Sequence, residues 1–201
     1  HLAVVERLLQ DPRVDPSAVN NYAIRWASQY GHLAVVERLL QDQRVDPSAD
    51  NNCAIRWASQ NGHLAVVERL LQDPRVDPSA VNNYAIRWAS QYGHLAVVER
   101  LLQDQRVDPS ADNNCAIRWA SQNGHLAVVE RLLQDPRVDP SAVNNYAIRW
   151  ASQYGHLAVV ERLLQDQRVD PSADNNCAIR WASQNGHLAV VERLLQDPRV
   201  D

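Results

Sequence analysis

The chain is an exact periodic repetition of one short segment. Residues 1–31 recur with four changes as residues 32–62, and residues 63–124 and 125–186 are then identical to residues 1–62. A fixed period of about 20–50 residues is typical of repeat arrays, in which each unit buries its apolar faces only against its neighbours. We therefore expect residues 1–201 to form a single repeat array. Its predicted repeats are 1–31, 32–62, 63–93, 94–124, 125–155 and 156–186, with a partial repeat at 187–201.

The segments 1–31 and 32–62 differ at four positions only. The pairs are Pro12/Gln43, Val19/Asp50, Tyr22/Cys53 and Tyr30/Asn61. We call a repeat Tyr-type when it carries the equivalent of Tyr22, and Cys-type when it carries the equivalent of Cys53. Natural repeats accumulate differences after duplication, so the identity of the copies indicates design or consensus engineering. A very recent natural duplication is the alternative interpretation.

Composition and charge argue against several classes of function. The net charge is −4, and all 20 cations are Arg. Nucleic-acid affinity depends on clustered cations that displace counterions, so a mildly acidic chain is a poor match for a phosphate backbone. No apolar run approaches the length of about 18 residues that a membrane-spanning helix requires, and no signal-peptide pattern is recognisable. We therefore expect a soluble, cytoplasmic protein without a nucleic-acid or membrane partner.

The cysteines are spaced too widely for a disulfide within the chain. Cys53, Cys115 and Cys177 occupy the same position in every second repeat. If each repeat advances the array by about 8–10 Å, consecutive cysteines lie roughly 20 Å apart. A disulfide requires Cα atoms within about 7 Å, so we expect three free thiols.

One repeat predicts two short helices. The first helix is expected from Tyr22 to Gln29, with Asn21 as its N-cap and Gly31 as its stop. The second helix is expected from His32 to about Gln41. Its apolar residues cover nearly half of its circumference, and a helix this short depends on packing of that stripe. The stripe comprises Leu33, Val35, Val36, Leu39 and Leu40.

The segment that links one repeat to the next is rich in turn formers. Residues 42–50 read Asp-Gln-Arg-Val-Asp-Pro-Ser-Ala-Asp. Pro47 has no amide hydrogen and biases Asp46 toward extended geometry. The segment is therefore expected to be a loop or a β-like finger.

Residues 27–40 carry a resemblance to a known family. The run Ala-Ser-Gln-Tyr-Gly-His-Leu-Ala-Val-Val-Glu-Arg-Leu-Leu resembles the second half of an ankyrin repeat, and it recurs along the whole chain. Two features differ from the family. Tyr22-Ala23-Ile24-Arg25 stands where Thr-Pro-Leu-His is usual, and the 31-residue period is shorter than the family's usual length of about 33 residues. The first difference leaves Asn21 and Asn52 as the expected caps, and the second implies a shortened β-hairpin.

The resemblance implies an all-α, ankyrin-type helix-turn-helix solenoid with short finger loops and a concave face that binds protein partners. In the family, partner contacts lie just before the Gly-His pair and in the finger that approaches the first helix. Carried onto this sequence, the predicted partner-binding residues are Val19, Asn21, Gln29, Tyr30, Asp50, Asn52, Gln60, Asn61, Val81, Tyr92, Val143 and Tyr154. For Tyr30, partner contact, self-contact and a purely solvated role are all open alternatives.

Catalysis, metal binding and cofactor binding are not expected. Copies of His32 should lie about 10 Å apart, which is too far for two imidazoles to share one zinc ion. Ser28, His32 and Asp42 recur in every repeat, but the predicted helices do not bring them together as a triad. His32 is instead expected to make a helix-start hydrogen bond.

Other side chains receive packing interpretations. Trp26 is expected to lean across to an adjoining repeat, and Arg25 to pair with a nearby Asp. Tyr22 opposite Cys53 is expected to place a large ring beside a small thiol in adjacent repeats.

The terminal repeats show no recognisable polar cap, and each carries a full apolar stripe. Terminal stripes of this kind predict head-to-tail association. The expected end-stacking residues are Leu2, Val5, Leu9, Leu188, Val191 and Leu195. The first hypothesis for function is therefore an engineered scaffold for protein–protein interaction. Its alternatives are a self-assembling structural protein and a natural, recently duplicated interaction protein.

Overall fold

The computed structural model describes residues 1–200, which form helices and turns without a strand. These residues form two compact units, one of His1–Ala89 with Ala96–Val107 and one of Ser90–Leu95 with the residues from Asp108 onward. The helices are α1 Leu2–Leu9, α2 Ala18–Gln29, α3 Leu33–Leu40, α4 Ala49–Gln60, α5 Leu64–Leu71, α6 Ala80–Gln91, α7 Leu95–Leu102, α8 Ala111–Gln122, α9 Leu126–Leu133, α10 Ala142–Gln153, α11 Leu157–Leu164, α12 Ala173–Gln184 and α13 Leu188–Leu194.

Each unit is a stack of antiparallel helix pairs. In the first unit α2 packs on α4, and α1, α3 and α5 pack in succession; in the second, α8, α10 and α12 form one layer and α9, α11 and α13 the other. The long helix is the first helix of each pair, and the shorter helix is the second. The prediction of an all-α solenoid of helix pairs with short finger loops is confirmed for the described residues.

A glycine turn joins the two helices of each pair. Gly31 has φ +73°, the left-handed conformation that glycine adopts without steric cost. This conformation lets the backbone N–H of His32 donate to the carbonyl of Ala27 at 2.9 Å, so the helix end is satisfied before α3 begins.

Small and branched apolar residues form the core of each unit. Ile55 and Ala58 from a first helix and Val66, Val67 and Leu70 from a second helix are 0–1% exposed. The predicted stripe of the second helix is thus buried at its centre, and the alanines of the first helix let neighbouring backbones approach. The three cysteines are free and buried.

A left-handed turn precedes the right-handed part of every first helix, and sequence reasoning did not predict it. Val19, Asn20 and Asn21 have φ of 53°, 56° and 58°, and the equivalent residues of the other five repeats do the same. The N–H of Asn21 donates to the carbonyl of Ser17 at 2.8 Å. Left-handed geometry costs an L-residue about 1–2 kcal/mol, so this turn requires compensating contacts. Asn tolerates it best, while the β-branched Val does not.

The finger loops are held by side chains rather than by strands, so the predicted short β-hairpin is wrong. Asp42 accepts from the backbone N–H and the guanidinium of Arg44, which lowers the pKa of Asp42 to about 2. Arg44 also donates through Nη1 to the carbonyl of Val14 in the preceding loop, at 3.1 Å. Asp46 accepts from the N–H and hydroxyl of Ser48. These bonds within and between loops take the place of a hairpin ladder in the described residues.

Candidate functional site

The candidate site is the first-helix face of each unit, which we define as the exposed side chains of the first helices and of the left-handed turns. Its exposed aromatic groups include the Tyr residues that precede the glycine turns. Tyr30, Tyr92 and Tyr154 are 52%, 46% and 47% exposed. In Cys-type repeats the same position holds an exposed Asn, such as Asn61, whose amide donates to the carbonyl of Trp57 at 2.8 Å. The face therefore alternates aromatic and amide groups.

Aromatic rings line this face in the Tyr-type repeats. In α2, the ring centres of Tyr22 and Trp26 are 5.3 Å apart, and those of Trp26 and Tyr30 are 4.9 Å apart. In the second unit, Trp150 meets Trp181 of the next repeat edge to face at 5.4 Å. The prediction that Trp leans across to an adjoining repeat is confirmed there. These contacts hold the rings in fixed orientations, so a partner would meet an ordered aromatic surface.

Other predicted partner-binding residues are distributed between the surface and the interior. Asp50 is exposed on its left-handed turn, as are Val19, Val81 and Val143, and Gln29 and Gln60 are half-buried. Asn21 and Asn52 are buried.

The buried asparagines have a structural role that sequence reasoning missed. Asn21 Oδ1 accepts from the backbone N–H of Asp46 at 2.7 Å, and Asn52 Oδ1 accepts from that of Asp77 at 2.8 Å. Each bond reaches the loop of the following repeat. The prediction that Asn21 and Asn52 cap their own helices is therefore wrong. The doublet Asn-Asn in every repeat was the available signal, because Asn is the residue that favours left-handed geometry.

The histidines after the glycine turns link successive helix pairs. His63 Nε2 donates to the carbonyl of Gln29 in the preceding helix pair at 2.9 Å, and His156 Nε2 donates to that of Gln122 at 3.0 Å. Neither imidazole makes the expected hydrogen bond at the start of its own helix. The prediction of a helix-start bond is therefore wrong for these two side chains. Burial lowers the pKa of His156, which favours its neutral imidazole.

The candidates for catalysis and metal binding have other surroundings. Ser28 is fully buried and its hydroxyl has no hydrogen-bond partner, while Asp42 is paired with Arg44. Among residues 1–200, no group of three or more His, Cys, Asp or Glu is arranged to hold a metal ion. No helix of that part of the chain is long and apolar enough to cross a membrane.

Stacked helix pairs with short loops and an exposed first-helix face define the class of helical repeat proteins. Family models for ankyrin repeats identify the particular family. A three-copy model matches residues 1–82 and 75–144, and a single-repeat model matches residues 144–176. The protein belongs to the ankyrin repeat family, as its sequence resemblance indicated.

One solved structure extends the comparison. It is described as the predatory endopeptidase Bd0816 from Bdellovibrio bacteriovorus in complex with the immunity protein Bd3460. One of its chains is 21% identical, with a TM-score of 0.74, and the match covers 88% of this chain and 98% of that chain. At this level of identity, the likeness shows a shared fold and no more. Comparison with curated proteins gave no match.

Proposed function

We propose that this protein is a non-catalytic scaffold that binds a protein partner through its first-helix face. Ankyrin repeats are generally protein-interaction modules, and the family assignment supports this use. The observation that carries the proposal is the set of ordered, exposed aromatic side chains at Tyr30, Tyr92 and Tyr154. Large aromatic side chains are enriched in the energetically dominant positions of protein interfaces.

An engineered, consensus-type origin is part of this proposal. Its support is the letter-for-letter identity of residues 1–62, 63–124 and 125–186. A scaffold built by copying one unit would present the same surface repeatedly. A partner of matching period would then bind with increased avidity.

A paired-variant binding experiment tests the proposal. Binders are selected from a displayed protein library against the full chain, and their affinities are compared with those for a Tyr30→Ala, Tyr92→Ala, Tyr154→Ala variant. Loss of a central interface aromatic typically costs at least about 1–2 kcal/mol, so we expect affinity to fall about tenfold or more.

The matched control changes the outer surface instead. Glu37→Ala, Glu99→Ala and Glu161→Ala alter exposed residues of the second helices. We expect this control to retain affinity. Equal affinities for the Tyr variant and the unchanged chain would refute binding through the first-helix face.

A second proposal is end-to-end association of the full chain. It is favoured by the exposure of Val4, Leu188 and Leu195, which are 56%, 67% and 63% exposed, whereas the equivalent inner residues Val35 and Leu64 are buried and half-buried. Light scattering over a concentration series, with Leu188→Glu and Leu195→Glu as the comparison, tests it. We expect the average mass to rise with concentration only for the unchanged chain.

A further inference from the structure

The same arginine makes different contacts in the two types of repeat. Arg25 and Arg56 both lie in the sequence Ala-Ile-Arg-Trp-Ala-Ser-Gln. Arg25 reaches into the following repeat, where its Nη1 is 2.7 Å from Asp50 Oδ2. Arg25 also donates through Nη2 to the carbonyl of Val19 in its own left-handed turn, at 3.1 Å. Arg56 donates twice to its own turn, to the carbonyls of Asn51 and Asp50, both at 2.9 Å.

The residue three positions before the arginine also differs, and Arg25 lies 5.8 Å from the ring centre of Tyr22 in its own repeat, where Arg56 has Cys53. The contacts across the repeat boundary differ as well, and they follow the type of the next repeat.

The following repeat offers each arginine a different pair of residues. Arg25 meets the Asp and Cys of a Cys-type repeat, whereas Arg56 meets a Tyr-type repeat. The guanidinium carbon of Arg56 lies 5.1 Å from the ring centre of Tyr84. The hydroxyl of Tyr84 donates to Gln60 Oε1 at 2.7 Å, which fixes the ring beside that guanidinium.

The second unit shows the same two arrangements. Arg118 lies 4.9 Å from the ring centre of Tyr146, whose hydroxyl donates to Gln122 Oε1 at 2.7 Å. Arg149 forms an ion pair with Asp174 and lies within 4.0 Å of the thiol of Cys177. Gln153 Oε1, the equivalent of the acceptor in Gln122, is buried there and has no partner. The two arrangements therefore recur with the type of the following repeat.

We propose that Asp with Cys and Val with Tyr are two matched residue pairs, each of which holds the arginine of the preceding repeat. The two alternating positions then act together as one specificity-determining element of the repeat–repeat interface. The preceding side, which supplies Arg, Trp and Gln, is the same in both types of repeat. A repeat of either type can therefore follow a repeat of either type, provided that its own two alternating residues are either Asp with Cys or Val with Tyr.

A mixed pair leaves the arginine poorly held. The side chains of Arg25 and Arg149 are only 12% and 11% exposed, so each cation requires a nearby partner. Asp with the small Cys supplies a carboxylate and room for the guanidinium. Val with Tyr supplies a ring for a cation–π contact and a hydroxyl for the glutamine. Val with Cys supplies neither a carboxylate nor a Tyr ring, so Arg149 would keep only the ring of Trp181 in the following repeat and the carbonyl of Val143 in its own turn.

A double-mutant cycle in the full chain tests the coupling, because it separates a paired effect from two independent ones. The variants are Asp174→Val, Cys177→Tyr and both together, and the measurement is the thermal midpoint. We expect Asp174→Val alone to lower the midpoint by about 5 °C, given that 1 kcal/mol corresponds to about 2–4 °C in a chain of this size. We expect the double variant to recover to within about 2 °C, because Arg149 and Gln153 then adopt the contacts of Arg118 and Gln122. A double variant that is at least as unstable as the sum of the two singles overturns the proposal.

Two deletions of equal length provide an independent test that requires no core substitution. Deleting residues 32–62 places a Tyr-type repeat after a Tyr-type repeat, and deleting residues 63–93 places a Cys-type repeat after a Cys-type repeat. Both deletions keep matched pairs, so we expect their thermal midpoints to agree within about 2 °C. A difference of more than about 5 °C would show that the repeats must alternate, and would also overturn the proposal.

Discussion

At the scale of single residues, the fold depends most strictly on asparagine. The buried Asn of each left-handed turn performs two tasks at once. Asn52 adopts φ +59° at moderate cost, and its Oδ1 accepts from the N–H of Asp77 in the next repeat. No other neutral residue combines tolerance of left-handed geometry with an acceptor of that length.

Asn52→Ala is therefore expected to be strongly destabilising. The substitution leaves the N–H of Asp77 without its acceptor and places Ala in a left-handed conformation, which together cost about 2–3 kcal/mol. Urea denaturation measures the loss. Asn51→Ala is the matched control, since Asn51 is left-handed but exposed, and its expected cost is about 1 kcal/mol. Equal losses for both variants would show that the bond to Asp77 contributes nothing.

For the buried serines the expectation is the opposite, because removal of the serine hydroxyl should stabilise the protein. Ser121 is fully buried and its hydroxyl has no hydrogen-bond partner. Burial of an unpaired hydroxyl costs about 1–3 kcal/mol, so we expect Ser121→Ala to stabilise the protein by about 0.5–1 kcal/mol. Ser183, at the same position of a later repeat, is exposed, and Ser183→Ala should change stability by less than about 0.5 kcal/mol. A destabilised Ser121→Ala would mean that its hydroxyl has a partner after all.

At the scale of the helix pair, the glycine turn and the histidine of the following helix pair form one contact. A Cβ at Gly124 would lie 2.6 Å from Nδ1 of His156, whose Nε2 is bound to the carbonyl of Gln122. The glycine is thus required twice, once for its φ of +76° and once for the space that the ring occupies. Only the first requirement is visible in the sequence of a single repeat.

Gly124→Ala and Gly186→Ala separate the two requirements. A Cβ at Gly186, with φ +75°, would meet nothing within 4 Å, so only the backbone cost of about 1 kcal/mol is expected. Gly124→Ala must also displace the His156 ring, and we expect a loss larger by about 2 kcal/mol. Equal losses in urea denaturation would show that the ring moves at no cost.

At the scale of the whole molecule, the Asp–Arg pair of the finger loop recurs with every repeat. Hydrogen bonds from the Arg that follows in the same loop lower the pKa values of these carboxyls below the ordinary 3.8. A folded-state pKa below the unfolded value contributes stability above pH 3.8, and this stability is lost as the pH falls through the folded-state pKa. Each exposed Asp–Arg pair contributes little to the stability of the fold, but the contributions of the successive repeats add together.

Acid unfolding is consequently expected between about pH 4 and pH 2. Circular dichroism against pH measures the transition. An Arg106→Gln, Arg168→Gln variant removes the main donors to Asp104 and Asp166. We expect the stability difference between this variant and the unchanged chain to be larger at about pH 7 than at about pH 2.5, because protonation weakens the bonds to Asp104 and Asp166 but not those that the arginines donate to the carbonyls of Val76 and Val138. A constant stability difference across that range would contradict the assignment.

Local sequence pattern was enough to establish the repeat, the helix pair, the apolar stripe and the glycine stop. Each of these features can be read within one period, for example from the spacing of Val35, Val36 and Leu39. Family resemblance added the expected face for partners, which stays a prediction.

Packing between repeats was needed to establish the left-handed turn, the bonds of Asn52 and His156, and the two arrangements of the repeated arginine. The acceptors and donors of these groups lie in a neighbouring repeat, far away along the chain. The local sequence pattern predicted Asn52 as the N-cap of its own helix, because a short stretch of sequence does not show the contacts that the following repeat makes. The physical reason is that strain in one repeat is offset by contacts from the next, and such contacts exist only when the repeats are stacked.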